Sequence, residues 1–342
     1  MKLVHNSELD VFFAACRKNL QTENKNQFLD KKVTSGNEHY LQKQMAECGF
    51  AEFMGPEDQW PSLFLSAKQW QNTPYHRTIH LTDLKSDAFS YETDQIDGHR
   101  LFNACAIQKD PKRELNDWMK LRAMDQDCDC IALFQNDEDW MLDSPSEALT
   151  NDPAAKQASG SVCTFGLGIG YYLFMAMHNP DVTSITVVER SREVIELFEK
   201  SILPQFDVRK PLKLICGDAF DFFNEAFLSS FDTVYVDIWQ SSDDGLECMT
   251  RLLEQYLPPY ESTSFWIEDS CLETVWTIVY LYLESCYTGV KPAIAEQYQP
   301  LLHKTELYFS TLDETVDSAE QLKDLIYDNR ILRTILSIHE RS

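Results

Sequence analysis

The sequence predicts a doubly wound α/β domain, and three observations carry that expectation. From Ser161 to about Glu284, short apolar runs alternate five times with amphipathic ones. The first run ends in the glycine-rich turn Gly166-Leu167-Gly168-Ile169-Gly170, and acidic residues recur at or just beyond the run ends, at Glu189, Asp218, Asp237 and Glu268. Strands that alternate with helices require right-handed crossovers, which build a parallel sheet covered on both faces. Ligands of such sheets sit beyond the carboxyl ends of the strands, near the point where strand order reverses.

In chain order the strand and helix pairs are SVCTFG with YYLFMAM, SITVVE with VIELFEKSIL, LKLICG with AFDFFNEAF, DTVYVDI with LECMTRLLEQYL, and SFWIE with ETVWTIVYLYL. The unit opens at Ser144-Pro145-Ser146-Glu147, a capping box with proline at the first helical position, so a helix is expected from Pro145 towards Ser159. This divides the chain into a smaller α+β domain over residues 1–143, the α/β domain over 144–290, and a mainly helical extension over 291–342.

The N-terminal part reads first as two amphipathic helices. One carries Leu9, Phe12, Phe13, Cys16 and Leu20 behind Ser7 as cap; the other carries Leu41, Met45 and Cys48 and is stopped by Gly49. A β-rich stretch follows, with SLFLS, RTIHL, RLFNACAI, CIALF and DWML as its short runs. In the extension, the capping box Ser318-Ala319-Glu320-Gln321 starts a helix bearing Leu322, Leu325 and Ile326, with Leu332, Ile335 and Leu336 continuing the pattern. Glu306–Ser310 is a candidate for a last, antiparallel strand of the sheet.

Composition narrows the function classes. The 342 residues include 55 acidic and 30 basic side chains, a formal net charge of −25. Such a field repels phosphate backbones and anionic lipid surfaces, so direct nucleic-acid and membrane binding are disfavoured, and a neutral or cationic substrate suits the chain better. The apolar run near the N-terminus is too interrupted for a signal peptide or a membrane span, which predicts a cytoplasmic protein. Ten cysteines are scattered, with Cys16, Cys163 and Cys216 inside apolar patterns where reduced cysteine acts as a small hydrophobe. Cys128-Asp129-Cys130 lacks a second pair at zinc spacing, so no metal site is expected. His76 and His80 lie in TPYHRTIHL, which reads as strand-like and offers no acidic partner.

The strand ends carry the chemistry. Glycines spaced GxGxG let the backbone turn sharply and lie against a ligand that any Cβ would strike. Tyr171 stands where a dinucleotide motif needs its last glycine, which argues against a pyrophosphate. Glu189 can accept both ribose hydroxyls in a bidentate manner and would repel a 2′-phosphate, with Ser191 capping the next helix. Asp218 is placed to accept from an adenine amino group, the Ala219 amide to donate to a ring nitrogen, and Phe220 to stack or to pack in the core. Asp237, Glu268 and Asp269 are three acids expected to converge above the sheet, where they would attract a cationic group.

The motifs TFGLGIG, VVER, CGDAF and VDIW, in this order and spacing, resemble the class I S-adenosylmethionine-dependent methyltransferases. With the β-rich unit ahead of them they are similar to the spermidine-synthase-like branch, over residues 144–290. The resemblance implies a Rossmann-like methyltransferase sheet and S-adenosyl-L-methionine as cofactor. Gly166, Gly168 and Gly170 would flank its methionine and adenosine parts, Glu189 the ribose, Asp218 and Ala219 the adenine, and Asp237 the reacting sulfonium. Two positions depart from the pattern. Thr164 stands where many methyltransferases have an acid, and Gln240 where aminopropyltransferases carry a second acid after the strand-four aspartate.

The expected activity is therefore methyl transfer by direct displacement to an unidentified acceptor, a small molecule or a protein, with Asp237 holding or deprotonating an amine or hydroxyl. Trp239 is the candidate aromatic wall, and Glu268 and Asp269 are the candidate acceptor ligands. Two alternatives stand beside it: aminopropyl transfer from the decarboxylated donor to a polyamine, and a non-catalytic relative that binds the cofactor or a partner. The N-terminal unit is left to close the site or to mediate a homodimer.

Overall fold

The computed structural model describes residues 1–20, 25–81, 84–105 and 119–339. At its centre are five strands, β1 (Gly160–Phe165), β2 (Val182–Glu189), β3 (Leu212–Cys216), β4 (Thr233–Val236) and β5 (Thr263–Phe265). They are parallel and lie in the order β3-β2-β1-β4-β5. The order reverses between β1 and β4, whose ends are level, with Val236 opposite Phe165.

The longer helices of this unit are α1 (Pro145–Gln157), α2 (Tyr171–His178), α3 (Arg192–Ser201), α4 (Ser242–Gln255) and α5 (Glu273–Thr288). Their starts follow the local chemistry. Ser191 Oγ accepts from the Val194 amide at 3.2 Å, and Ser241 and Asp244 form a reciprocal capping box. The AFDFFNEAF helix is split into Ala219–Phe222 and Glu225–Leu228, because Asn224 caps the second piece by accepting from the Phe227 amide at 3.1 Å.

Alternate strand residues face opposite layers, as the pleat requires. Cys163, Phe165, Val188, Val234 and Val236 enter one core, with α4, α5, the helix Ser7–Leu20 and the C-terminal helices Gln299–Ser310, Ala319–Tyr327 and Asn329–Leu336. Val162, Ile185, Val187 and Tyr235 enter the other, with α2, α3 and residues Tyr75, Tyr91 and Leu133 from ahead of the domain. The β-rich stretch thus packs directly on the sheet's second face. Its main ladder pairs Phe89–Ile96, a strand not foreseen, with Cys128–Gln135, and the latter turns back into Glu138–Leu142. A separate small core gathers Phe28, Leu41, Met45, Phe50 and Leu121.

Several local expectations are corrected. Pro74–Thr78, within the RTIHL region, is helical, with proline at its start presetting the helical φ. Glu306–Ser310 closes the helix Gln299–Ser310 and is no strand. The first helix is capped by Asn6, whose Oδ1 accepts from the Leu9 amide at 2.9 Å, and not by Ser7. Cys216 is exposed, at the end of the edge strand β3. The Leu20 side chain and the last residues of RLFNACAI lie outside the described residues. Among the described residues, no helix is long and apolar enough to cross a membrane.

Candidate active site

The site forms where the strand order reverses. Gly166 has φ +94°, and a Cβ on it would stand 1.9 Å from the Asp237 carbonyl oxygen, so the loop after β1 lies directly against the end of β4. The Asp237 amide donates to the Phe165 carbonyl at 2.9 Å and locks that approach. Two tyrosines from the N-terminal unit hold the outer curve of the loop. The Tyr91 hydroxyl donates to the Gly168 carbonyl and the Tyr75 hydroxyl to the Ile169 carbonyl, each at 2.7 Å. Burial pushes both phenol pKa values up, which keeps them protonated as donors.

Beyond the strand ends opens a cavity of about 810 Å³, lined by Gly166, Gly168, Glu189, Asp218, Ala219 and Asp237. Glu189 is braced by backbone: Oε2 accepts from the Leu167 amide at 3.0 Å and Oε1 from the Ser191 amide at 2.7 Å. Each oxygen keeps a further acceptor direction for a ligand hydroxyl. Burial raises the Glu189 pKa, and the backbone donors oppose that rise. Asp218 caps the short helix Ala219–Phe222 through the Phe220 amide at 3.0 Å, and the Arg251 guanidinium lies 4.3 Å from the Phe220 ring centre.

Asp237 shares the cavity with Glu147, from the first turn of α1, a residue the capping-box reading absorbed as purely local. Burial pushes Asp237 up to about 7. Glu147 is held well above the ordinary carboxylate range by burial first and then by the charge of Asp237. Tyr171, read from sequence only as the residue in place of a last glycine, lines the cavity, and so do Trp140, Tyr172 and Trp266, which were not singled out. Their aromatic character alone could not separate cavity wall from core.

Three expected placements are corrected. Gly170 is absent from the cavity wall; it caps α2 at φ +74° and faces the Phe198 ring, which a Cβ would meet at 2.4 Å. β5 ends at Phe265, short of the acids, and the chain turns through Ile267 at φ +44° into the helix Glu268–Cys271. Glu268 is then taken up by the buried Arg333, at 2.8 Å from Nε and 2.6 Å from Nη2, because that cation needs a carboxylate out of water. Asp269 accepts from Asn329 at 3.0 Å. Neither lines the cavity, so of the three acids expected to converge only Asp237 does. Trp239 touches the cavity but is buried, stacked on Phe265 at 6.2 Å and packed over Gly245, as a core residue is.

His76 does have an acid partner. Its Nε2 lies 2.5 Å from Asp143 Oδ2 and its Nδ1 lies 2.6 Å from Thr73 Oγ1, with Asp143 fully buried. Among the described residues, no group of three His, Cys, Asp or Glu is placed to hold a metal ion.

The strand order and the cavity at its reversal define a Rossmann-like, doubly wound α/β sheet with a small-molecule-sized site at the carboxyl ends of its strands. No family model matches the sequence, and no curated protein matches it. Similar solved structures include human methyltransferase-like protein 13 in complex with SAH, with 21% identity and a TM-score of 0.20 over 27% of this chain and 42% of that one. Spermidine synthase from Thermotoga maritima aligns with 13% identity and a TM-score of 0.30 over 54% of each chain. Shikimate dehydrogenase from Mycobacterium tuberculosis aligns with 13% identity and a TM-score of 0.22 over 48% of this chain and 61% of that one. This chain covers less than two thirds of each, and at these TM-scores the likeness assigns neither cofactor nor reaction.

Proposed function

We propose that the cavity binds S-adenosylmethionine and that the protein transfers its methyl group to a neutral or cationic acceptor. The observation that carries this reading is convergence: Gly166 and Gly168, Glu189, Asp218 with Ala219, and Asp237 come from four different strand ends and line one cavity of about 810 Å³. That volume lies in the range of small-molecule sites. The residues fit the cofactor. Gly166 and Gly168, both at positive φ, turn the loop sharply at the cavity wall, Glu189 offers free acceptor directions to a ribose, and Asp218 beside the Ala219 amide offers an acceptor and a donor to an adenine edge. A 2′-phosphate would be repelled by Glu189.

The cofactor supplies an activated methyl group on a sulfonium. The chain supplies position and proton management. The tyrosine-braced loop and Glu189 fix the ligand, and orientation accounts for much of the rate in a direct displacement. Asp237, at the reversal point, accepts the proton of an acceptor amine or hydroxyl. An acidic cavity, with Glu147, Glu189, Asp218, Asp237 and Glu273 against Arg190 and Arg251, favours an amine over an anionic acceptor.

Incubating the purified protein with methyl-labelled S-adenosylmethionine and panels of amines, alcohols and protein extract tests the reading. Label transfer to an amine with loss of signal in Asp237→Asn supports it. Methylthioadenosine release on adding a polyamine to the decarboxylated donor overturns it in favour of aminopropyl transfer.

A further inference from the structure

The capping box at the start of α1 is used in an unusual way. Ser144 Oγ accepts from the Glu147 amide at 3.2 Å, but the Glu147 carboxylate accepts from Asn151 Nδ2 at 2.9 Å and lines the cavity. The Asn151 amide is fixed in sense, because its Oδ1 accepts from the Tyr235 hydroxyl at 2.9 Å while Nδ2 also donates to the Glu147 carbonyl at 3.1 Å. Tyr235 lies on β4 two residues ahead of Asp237. One amide therefore ties the helix that carries Glu147 to the strand that carries Asp237, and both carboxyls face the same cavity.

Among the described residues, what raises the two carboxyls is burial and, for Glu147, the neighbouring acids Asp237 and Asp143. The ionisable groups around them are mostly of one sign: Asp143 from the turn before α1, Tyr171 from α2, Tyr235 from β4 and Glu273 from α5, with Arg190 and Arg251 elsewhere on the cavity wall. Two desolvated carboxyls that feel each other cannot both ionise near neutral pH, so they titrate as a pair.

We infer that Glu147 is the working partner of Asp237: together they hold one proton, release it when a cationic donor binds, and so select the sulfonium donor over its neutral thioether product. The inference rests on S-adenosylmethionine being the ligand. In turnover the ionised pair takes one proton from the acceptor ammonium. The nitrogen lone pair then bonds to the methyl carbon, and the electrons of the carbon–sulfur bond remain on sulfur. The positive charge passes from sulfur to the methylated nitrogen, so the pair is left singly protonated beside an ammonium product and an uncharged thioether, which it no longer attracts, and this favours release of the thioether. Glu147 acts through Asp237 and the shared charge, as a positioning and selectivity residue.

The test uses calorimetry on the full chain near pH 6.5, in two buffers of different ionisation enthalpy, with S-adenosylmethionine and S-adenosylhomocysteine as ligands. The two differ at the sulfur, so their difference in proton count isolates the sulfonium. The wild type should release about 0.5–1 proton more with the sulfonium than with the thioether. Glu147→Gln, which can keep the Asn151 contact, should lose most of that difference and about tenfold of the selectivity for the charged ligand, with Asp237→Asn doing the same on its own. Equal proton counts for the two ligands, or an unchanged difference in Glu147→Gln, overturn the inference while leaving the cofactor reading intact. Failure of S-adenosylmethionine to bind overturns both.

Discussion

The Tyr91 hydroxyl donates to the Gly168 carbonyl at 2.7 Å, joining the strand Phe89–Ile96 to the loop that follows β1. Tyr75 makes the same kind of bond to Ile169 at 2.7 Å. The N-terminal unit is thereby part of the cavity's architecture, shaping the loop from behind. Tyr91→Phe and Tyr75→Phe should each cost about 1–3 kcal/mol of stability by leaving a carbonyl without its donor. The double variant should weaken ligand binding more than it lowers the urea midpoint of regions remote from the loop. Urea titration with calorimetry separates the two effects.

The glycines of the loop should differ sharply in tolerance. Gly166→Ala puts a methyl 1.9 Å from the Asp237 carbonyl oxygen at φ +94°. The left-handed strain of about 1–2 kcal/mol adds to overpacking of about 1–3 kcal/mol. Gly168→Ala carries left-handed strain as well, at φ +50°, but meets only the Met141 side chain, which can move, and should cost less. Equal losses in denaturant would contradict the stated approach of the two strand ends.

Glu189 has two duties, which its variants should expose. Glu189→Ala should weaken S-adenosylmethionine binding by about 1.5–3 kcal/mol, as for hydrogen bonds to a charged group. Because it also removes the acceptor of the Leu167 and Ser191 amides, it should lower the melting temperature as well. Glu189→Gln keeps one acceptor oxygen and should fall between. The readouts are calorimetry and thermal melts of the same samples.

The raised Asp237 pKa predicts a pH signature in stability. Between the ordinary carboxylate range and about 7, the folded protein holds a proton that the unfolded chain has lost, so stability falls as pH rises through that window and levels off above it. Asp237→Asn removes the part of this dependence that Asp237 contributes and leaves that of Glu147. Relative to wild type it should be more stable at pH 8 than at pH 5, read as the difference in urea midpoints. A difference independent of pH would contradict the burial of that charge.

Much of this was legible in the sequence, and several of the failures share a cause. The five strands, their order of appearance, the Ser191 cap and the acids at Glu189, Asp218 and Asp237 follow from local periodicity and spacing. Glu268 and Asp269 were misplaced because their partners, Arg333 and Asn329, are more than fifty residues away in the chain. His76 looked unpartnered because Asp143 is 67 residues on. Glu147 was hidden by a local role that it only half performs. The misses at Glu268, Asp269 and His76 are tertiary pairings between side chains, which no window of sequence displays, whereas the Ser7 cap and the strands read at RTIHL and Glu306–Ser310 are local misreadings.

The His76–Asp143 pair gives a further check on the junction between the N-terminal unit and α1. His76→Ala removes the hydrogen-bond partner of the fully buried Asp143 and should destabilise the protein by about 1–3 kcal/mol. His76→Ala combined with Asp143→Asn should recover part of the loss, since the second change replaces the unpartnered carboxyl with a neutral amide. Chemical denaturation of the two variants measures the recovery.

The most direct test of the central claim is calorimetric titration of the purified chain with S-adenosylmethionine, beside NAD as the competing ligand of a doubly wound sheet. The account predicts saturable binding of one S-adenosylmethionine per chain, lost by about tenfold or more in Glu189→Ala, on the order of 1.4 kcal/mol, and no binding of NAD. Heat from NAD with none from S-adenosylmethionine would contradict it.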